Sequence, residues 1–170
     1  VTGPWLWVAL AACSGPKSDP EAAAQPVAEP AEDPADEPAP APTPAQQAMY
    51  DALSLRDGGP VCADVEALSE TPVEDLVWLT EYAAVPPWVG TRAATCLIAG
   101  HATEVADLLR SWVVDPDLAG FGAIVLNNLG LIPTELAVEL ATLALTEGPD
   151  PEGARERIAQ HDDPALQALL

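Results

Sequence analysis

Basic residues are the first scarcity. The 170-residue chain has 6 Lys and Arg against 27 Asp and Glu, a formal charge of −21. No basic footprint is offered to a phosphate backbone, so nucleic-acid binding by charge neutralisation is excluded. The same shortage argues against a polybasic membrane surface. Aromatic residues are only 5% of the chain, and the 49% apolar share leans on alanine, which adds little core volume. No apolar run reaches 18 residues, so no transmembrane helix is read from the sequence. Gly-rich phosphate loops, a Gly-x-Ser-x-Gly elbow and a His-x-x-x-His pair are all missing. No catalytic residue, metal ligand or cofactor is therefore expected. Abundant carboxylates do not alter this, because glycosidase chemistry needs two of them at a set separation in a cleft.

What is abundant is proline, 19 residues and roughly twice the ordinary share. The excess is local. Between residues 14 and 45 there are nine prolines and seven acids, opposed by Lys17 alone, and Val27 is the one large apolar residue. Such a stretch cannot bury enough surface to offset chain entropy, so residues 13–45 are expected to form a disordered tether. Proline favours extended polyproline II, and at about 3.1 Å per residue the stretch would reach on the order of 90–100 Å. A Pro-rich segment can also dock in aromatic grooves, but the composition favours a spacer.

Ahead of the tether, Pro4 to Ala12 is apolar and ends at Cys13-Ser14-Gly15, as a signal-peptide core ends in small residues. Residues 1–12 are read as that signal. It contains no Lys or Arg and does not begin with Met. Val1 therefore stands either for an alternative start codon or for a point downstream of the true start. Leu10-Ala11-Ala12-Cys13 resembles the lipobox of bacterial lipoproteins. The resemblance implies cleavage before Cys13 and acylation there, as with palmitate. Two or three acyl chains suffice for stable anchoring. Ser14 after the cysteine resembles the sorting signal of outer-membrane lipoproteins, facing the periplasm or the cell surface.

From Gln46 to Leu170 the spacing is helical, and no stretch shows sustained β alternation. An all-α domain is expected. Thr71-Pro72-Val73-Glu74 has the form of a capping box with proline in the first turn. The helix it opens has an apolar face through Val73, Leu76, Val77, Thr80, Ala83 and Ala84, and ends at Pro86-Pro87. Next come a helix from Trp88 to a stop at Gly100, one over Thr103–Val113, and one from Asp115-Pro116 to Gly130. The last three are Pro133–Thr146, one opened by Asp150-Pro151 and a short one opened by Asp163-Pro164. Two shorter helices, Ala45–Leu55 and Val61–Ser69, precede the set.

These elements pair with a period near thirty. Thr71-Pro72-Val73, Thr103-Glu104-Val105 and Thr134-Glu135-Leu136 recur 32 and 31 residues apart, and Gly100 and Gly130 lie 30 apart. Antiparallel pairs cannot cover their own apolar faces, and stacking covers them. Arg92-Ala93-Ala94-x-x-Leu97 resembles the second helix of a HEAT repeat, with a weaker counterpart in Ala154-Arg155 and Gly122 in place of arginine in the middle unit. The resemblance implies antiparallel helix pairs stacked as a short HEAT-like α-solenoid. It also implies that Arg92 is structural and pairs with Asp75 or Asp107. An irregular all-α bundle is the alternative.

With Cys13 assigned to lipid, Cys62 and Cys96 remain in a compartment beyond the reducing cytosol, and an even remainder reads as a disulfide. Two buried apolar thiols are the other reading. His101, after Gly100, reads as a polar turn residue, and His161 as a complement to a helix C-terminus. Asp163 reads as the N-cap before Pro164 rather than as half of a metal pair. Trp78 and Trp88 are read as core filling, with a partner hot spot as the alternative.

The expected function is that of a lipid-anchored envelope protein whose acidic module binds a basic protein partner without catalysis, touching the membrane through its anchor alone. An accessory or lyase-type enzyme component on a HEAT-like fold, or a structural envelope spacer, are the other readings. The partner-binding residues are not specified by the sequence.

Overall fold

Among the described residues, four of nine α-helices begin at a proline preceded by a residue with a side-chain oxygen. The computed structural model describes residues 40–56, 61–83 and 85–170, and every described element is helical. The signal segment, Cys13 and the tether up to residue 39 lie outside the described residues. The first helix, α1 (Pro44–Ser54), starts with a complete capping box: the Thr43 hydroxyl accepts from Gln46 N, and the Gln46 side chain accepts from Thr43 N. Thr43 to Ala45 thus belong to the folded part rather than to the tether. After α2 (Cys62–Glu66) comes α3 (Pro72–Tyr82).

The capping box expected at Thr71 is not formed. Thr71 remains the N-cap residue, but its N donates to the Ser69 hydroxyl, which takes the place Glu74 would hold in the box. The helix α4 (Trp88–His101) runs through Gly100 and does not stop there. The chain then reverses tightly, with Glu104 N and Val105 N both donating to the His101 carbonyl. That turn uses Thr103, so α5 (Ala106–Val114) starts three residues later than expected. A 3₁₀ turn, Pro116–Leu118, is capped by Asp115 and leads into α6 (Ala119–Asn127). Gly130 sits inside a second 3₁₀ turn, Leu129–Leu131. The chain closes with α7 (Thr134–Thr146), α8 (Pro151–Ile158) capped by Asp150, and α9 (Pro164–Gln167) capped by Asp163.

Consecutive helices pack as neighbours: α3 with α4, α5 with α6, and α7 with α8. Across these pairs α4 meets α6, α6 meets α8, and α5 meets α7, while α1 lies on α3 and α4. The core runs through all of them, with Met49, Leu76, Leu97, Leu109, Leu140 and Ile158 among its fully buried side chains. Each such side chain contributes about 1.5–3 kcal/mol by leaving water. On α3 the buried stripe is Leu76, Leu79 and Thr80, and Val73 and Val77 are only packed against it. The tryptophan that fills the core is Trp112, 2% exposed and stacked on Phe121 with ring centroids 4.8 Å apart. Trp78 and Trp88 are half-buried and pack against this core from its margin.

Gly122 explains why the middle pair has no arginine. A Cβ built there would lie 2.6 Å from the Trp112 carbonyl oxygen, so α6 approaches the α5 backbone more closely than any side chain allows.

Candidate interaction surface

The N-terminal helices are tied together by groups far apart in sequence. Cys62 at the start of α2 and Cys96 on α4 form a disulfide with Cα atoms 5.3 Å apart. Cys96 is buried and Cys62 half-buried, so the bridge closes over the edge of the core. It closes a loop of 34 residues, worth about 3–4 kcal/mol in the chain-entropy account.

Arg92 does not pair with Asp75 or Asp107. Its Nη1 donates to the carbonyls of Leu53 and Leu55 at the end of α1. The reason is local: the last turn of α1 has no basic residue, and helix ends leave carbonyls without partners. Trp88 reinforces the same junction by donating Nε1 to the Ser54 carbonyl at 3.3 Å, and the Arg56 guanidinium lies 5.5 Å from its ring centroid. Asp75 is already occupied. It is 7% exposed and accepts from Gln46 Nε2 at 2.9 Å and from the Ser69 hydroxyl at 2.5 Å. This satisfied polar network joins the start of α1 to the start of α3. Asp107 in turn bonds Arg110 at 2.6 Å, three residues along its own helix.

On the outer face of α3 the aromatic residues gather. Trp78 and Tyr82, one turn apart, have ring centroids 5.2 Å apart and planes inclined by 33°. With Pro42, Gln47, Tyr50 and Val85 they line an open cleft of about 270 Å³. Tyr50 donates its hydroxyl to the Val85 carbonyl, which fixes that wall. Tyr82 is 40% and Val85 74% exposed, so both leave apolar surface open at the cleft. Asp51, Glu74 and Glu81 are exposed beside it; Glu74 stands one turn before Trp78, and Asp51 accepts from Gln47.

The two histidines have structural partners. His101 ends α4, with Nε2 3.4 Å from a Glu66 oxygen and Nδ1 3.5 Å from Glu104. It therefore bridges α2 and the turn after α4, and its Nε2 is buried without a hydrogen bond. His161 Nε2 lies 2.7 Å from the Leu126 carbonyl oxygen and donates to it, so His161 caps α6 rather than its own helix. Among the described residues no group of three or more His, Cys, Asp or Glu could hold a metal ion, and no helix is long and apolar enough to cross a membrane. Cys13, the expected acylation site, lies outside the described residues. Compared with known proteins, the chain matches no protein-family model, no curated sequence and no solved structure.

Sequence reasoning singled out Trp78 but missed the cleft around it. The signal was the spacing of Trp78 and Tyr82, a second stripe on α3 beside the buried one.

Proposed function

We propose that the chain is a non-enzymatic, lipid-anchored protein of the bacterial envelope, held at the outer membrane through acyl chains on Cys13. In this reading it presents a short HEAT-like helical-repeat module to a basic protein partner. The pattern of helix contacts supports the repeat part. First helices of successive pairs meet at α5 and α7, and second helices meet along α4, α6 and α8, as in stacked hairpins.

The observation that carries the interaction part is charge. From Gln46 onward there are 20 acids and 5 arginines, a formal −15. Three of those arginines are engaged within the domain: Arg92 with α1 carbonyls, Arg110 with Asp107 and Glu139, and Arg157 with the Gly153 carbonyl. The exposed carboxylates thus face solvent with few bases among them. Such a field steers cationic partners and weakens with salt.

Two measurements test the reading. Metabolic labelling with a fatty acid should mark the wild type and not Cys13→Ala; label retained on the variant removes the anchor. The full chain should also capture a basic protein from envelope extract at low salt and release it at high salt. Capture that is indifferent to salt, or selective for acidic proteins, removes the interaction role.

A further inference from the structure

We infer that the cleft between α1 and α3 is a docking groove for an extended, proline-rich and positively charged peptide segment of a partner protein. The inference deepens the reading of the domain as an interaction module and rests on it. Four observations lead there.

The first is shape. Trp78 and Tyr82 lie in sequence along one helix face with centroids 5.2 Å apart and planes tilted by 33°, so they form an extended aromatic wall of an open cleft. A closed box would suit a single quaternary ammonium. An extended wall suits a ridge of rings, and residues i and i+2 of a polyproline II strand are about 6 Å apart. The second is chemistry. The lining is aromatic and prolyl, through Trp78, Tyr82, Tyr50 and Pro42, which is how aromatic grooves take polyproline strands. Such a strand has no internal hydrogen bonds, so its carbonyls are open to a donor. Trp78, which lines the cleft, carries an indole N–H donor.

The third is exposure. Val85 is 74% exposed and Tyr82 40%, an apolar surface left uncovered within the described residues. The fourth is charge, which selects among occupants. Asp51, Glu74 and Glu81 stand on the turns beside the wall. The proline-rich stretch of this same chain, residues 14–45, carries seven acids and one lysine. It would meet like charge at this rim, whereas a strand carrying arginine or lysine would meet opposite charge.

The test uses the full-length chain and three short fluorescent peptides, read by anisotropy at low salt. One peptide combines prolines with arginines, one has the same arginines without proline, and one copies the acidic proline-rich residues 28–42. The arginine–proline peptide should bind saturably and more tightly than the other two. Trp78→Ala and Tyr82→Ala should each weaken it about tenfold or more, as for a central aromatic anchor. Because Trp78 is half-buried, a folding defect is separated by Glu81→Lys, an exposed change that should weaken binding without lowering the melting temperature. If the proline-free arginine peptide binds as well, the acidic-interaction reading stands and the groove is overturned. If the acidic copy binds best, the chain's own segment is the occupant and the proposal is overturned. If no peptide binds but a basic envelope protein is still captured in a salt-sensitive way, the groove falls while the wider reading survives.

Discussion

The helices α1 to α4 and the helices α5 to α9 solve the same packing problem by different means. In the first group, long-range polar and covalent ties dominate: the Cys62–Cys96 disulfide, the Arg92 bonds to α1 carbonyls and the Gln46–Asp75–Ser69 network. In the second, contact is mostly apolar and close, as where Gly122 lets α6 approach the Trp112 backbone and Trp112 stacks on Phe121. Within the first group, α2 is the helix that most needs a tie. Five-residue α2 has one fully buried side chain, Val65, and cannot hold its place by apolar burial alone. The thirteen-residue α7 buries Ala137, Leu140, Ala141 and Ala144 and has no covalent tie and, among the described residues, only the exposed Arg110–Glu139 pair at its surface. The disulfide therefore falls on the shorter and less buried of the two helices it joins.

Breaking the disulfide is the largest expected perturbation of this contrast. The pair Cys62→Ala and Cys96→Ala should lower unfolding free energy in urea by about 3–4 kcal/mol. Hydrogen exchange should then rise first in α1 and α2, with α7 amides retaining their protection. Equal loss of protection throughout would show that the two groups of helices unfold as one. In the wild type, unfolded without reductant after export to an oxidising compartment, Cys62 and Cys96 should add no free thiols. Two free thiols from these positions would contradict the bridge.

Arg92→Ala comes next. Hydrogen bonds from a charged donor are worth about 1.5–3 kcal/mol, and the variant leaves the carbonyls of Leu53 and Leu55 without their donor. Arg92→Lys should recover part of the loss, because one ammonium can still reach carbonyls without the guanidinium fork. The counterpart in the second group is Gly122→Ala. Crowding against a backbone carbonyl costs about 1–3 kcal/mol, and the better helix propensity of alanine offsets up to about 1 kcal/mol. A net loss of about 1 kcal/mol in unfolding free energy, read as a lower urea midpoint, is expected. A gain would mean that α6 can move away from α5 freely.

These examples also mark what could be read from sequence. Helix starts at Asp150-Pro151 and Asp163-Pro164 were legible because capping is local, between residues two or three apart. The complete box at Thr43-Pro44-Ala45-Gln46 was equally local, but its helix was expected to begin at Ala45, inside a proline-rich run that reads as tether. The all-α class followed from apolar spacing. Arg92 bonds within the domain, but its partner was not legible, since carbonyls at a helix end are offered by every helix. The cleft was hidden for a related reason: Pro42, Tyr50 and Val85 meet α3 only through the tertiary arrangement.

The smallest expected effect belongs to the charged clamp that, among the described residues, joins α5 to α7. Arg110 on α5 bonds Glu139 on α7, with Nε to Oε1 at 2.6 Å and Nη2 to Oε2 at 3.1 Å, and it also holds Asp107. The bidentate bond from Arg110 holds the Glu139 carboxyl below the usual glutamate range, and the same carboxylate raises the guanidinium further above neutrality. Both side chains are more than a third exposed, so screening keeps the gain small. Its sign is nonetheless fixed. Because the folded-state value of Glu139 is depressed, the pair's contribution is complete above the ordinary glutamate value of about 4.3. It is lost as pH falls below that value and through the folded-state one. Arg110 stays charged over the whole range and adds no pH dependence of its own. Glu139→Gln should therefore melt slightly lower than the wild type at neutral pH, with the gap closing as the solution is acidified and shrinking in high salt. A gap that persists unchanged in acid would show that Glu139 supports α7 by packing and not by its charge.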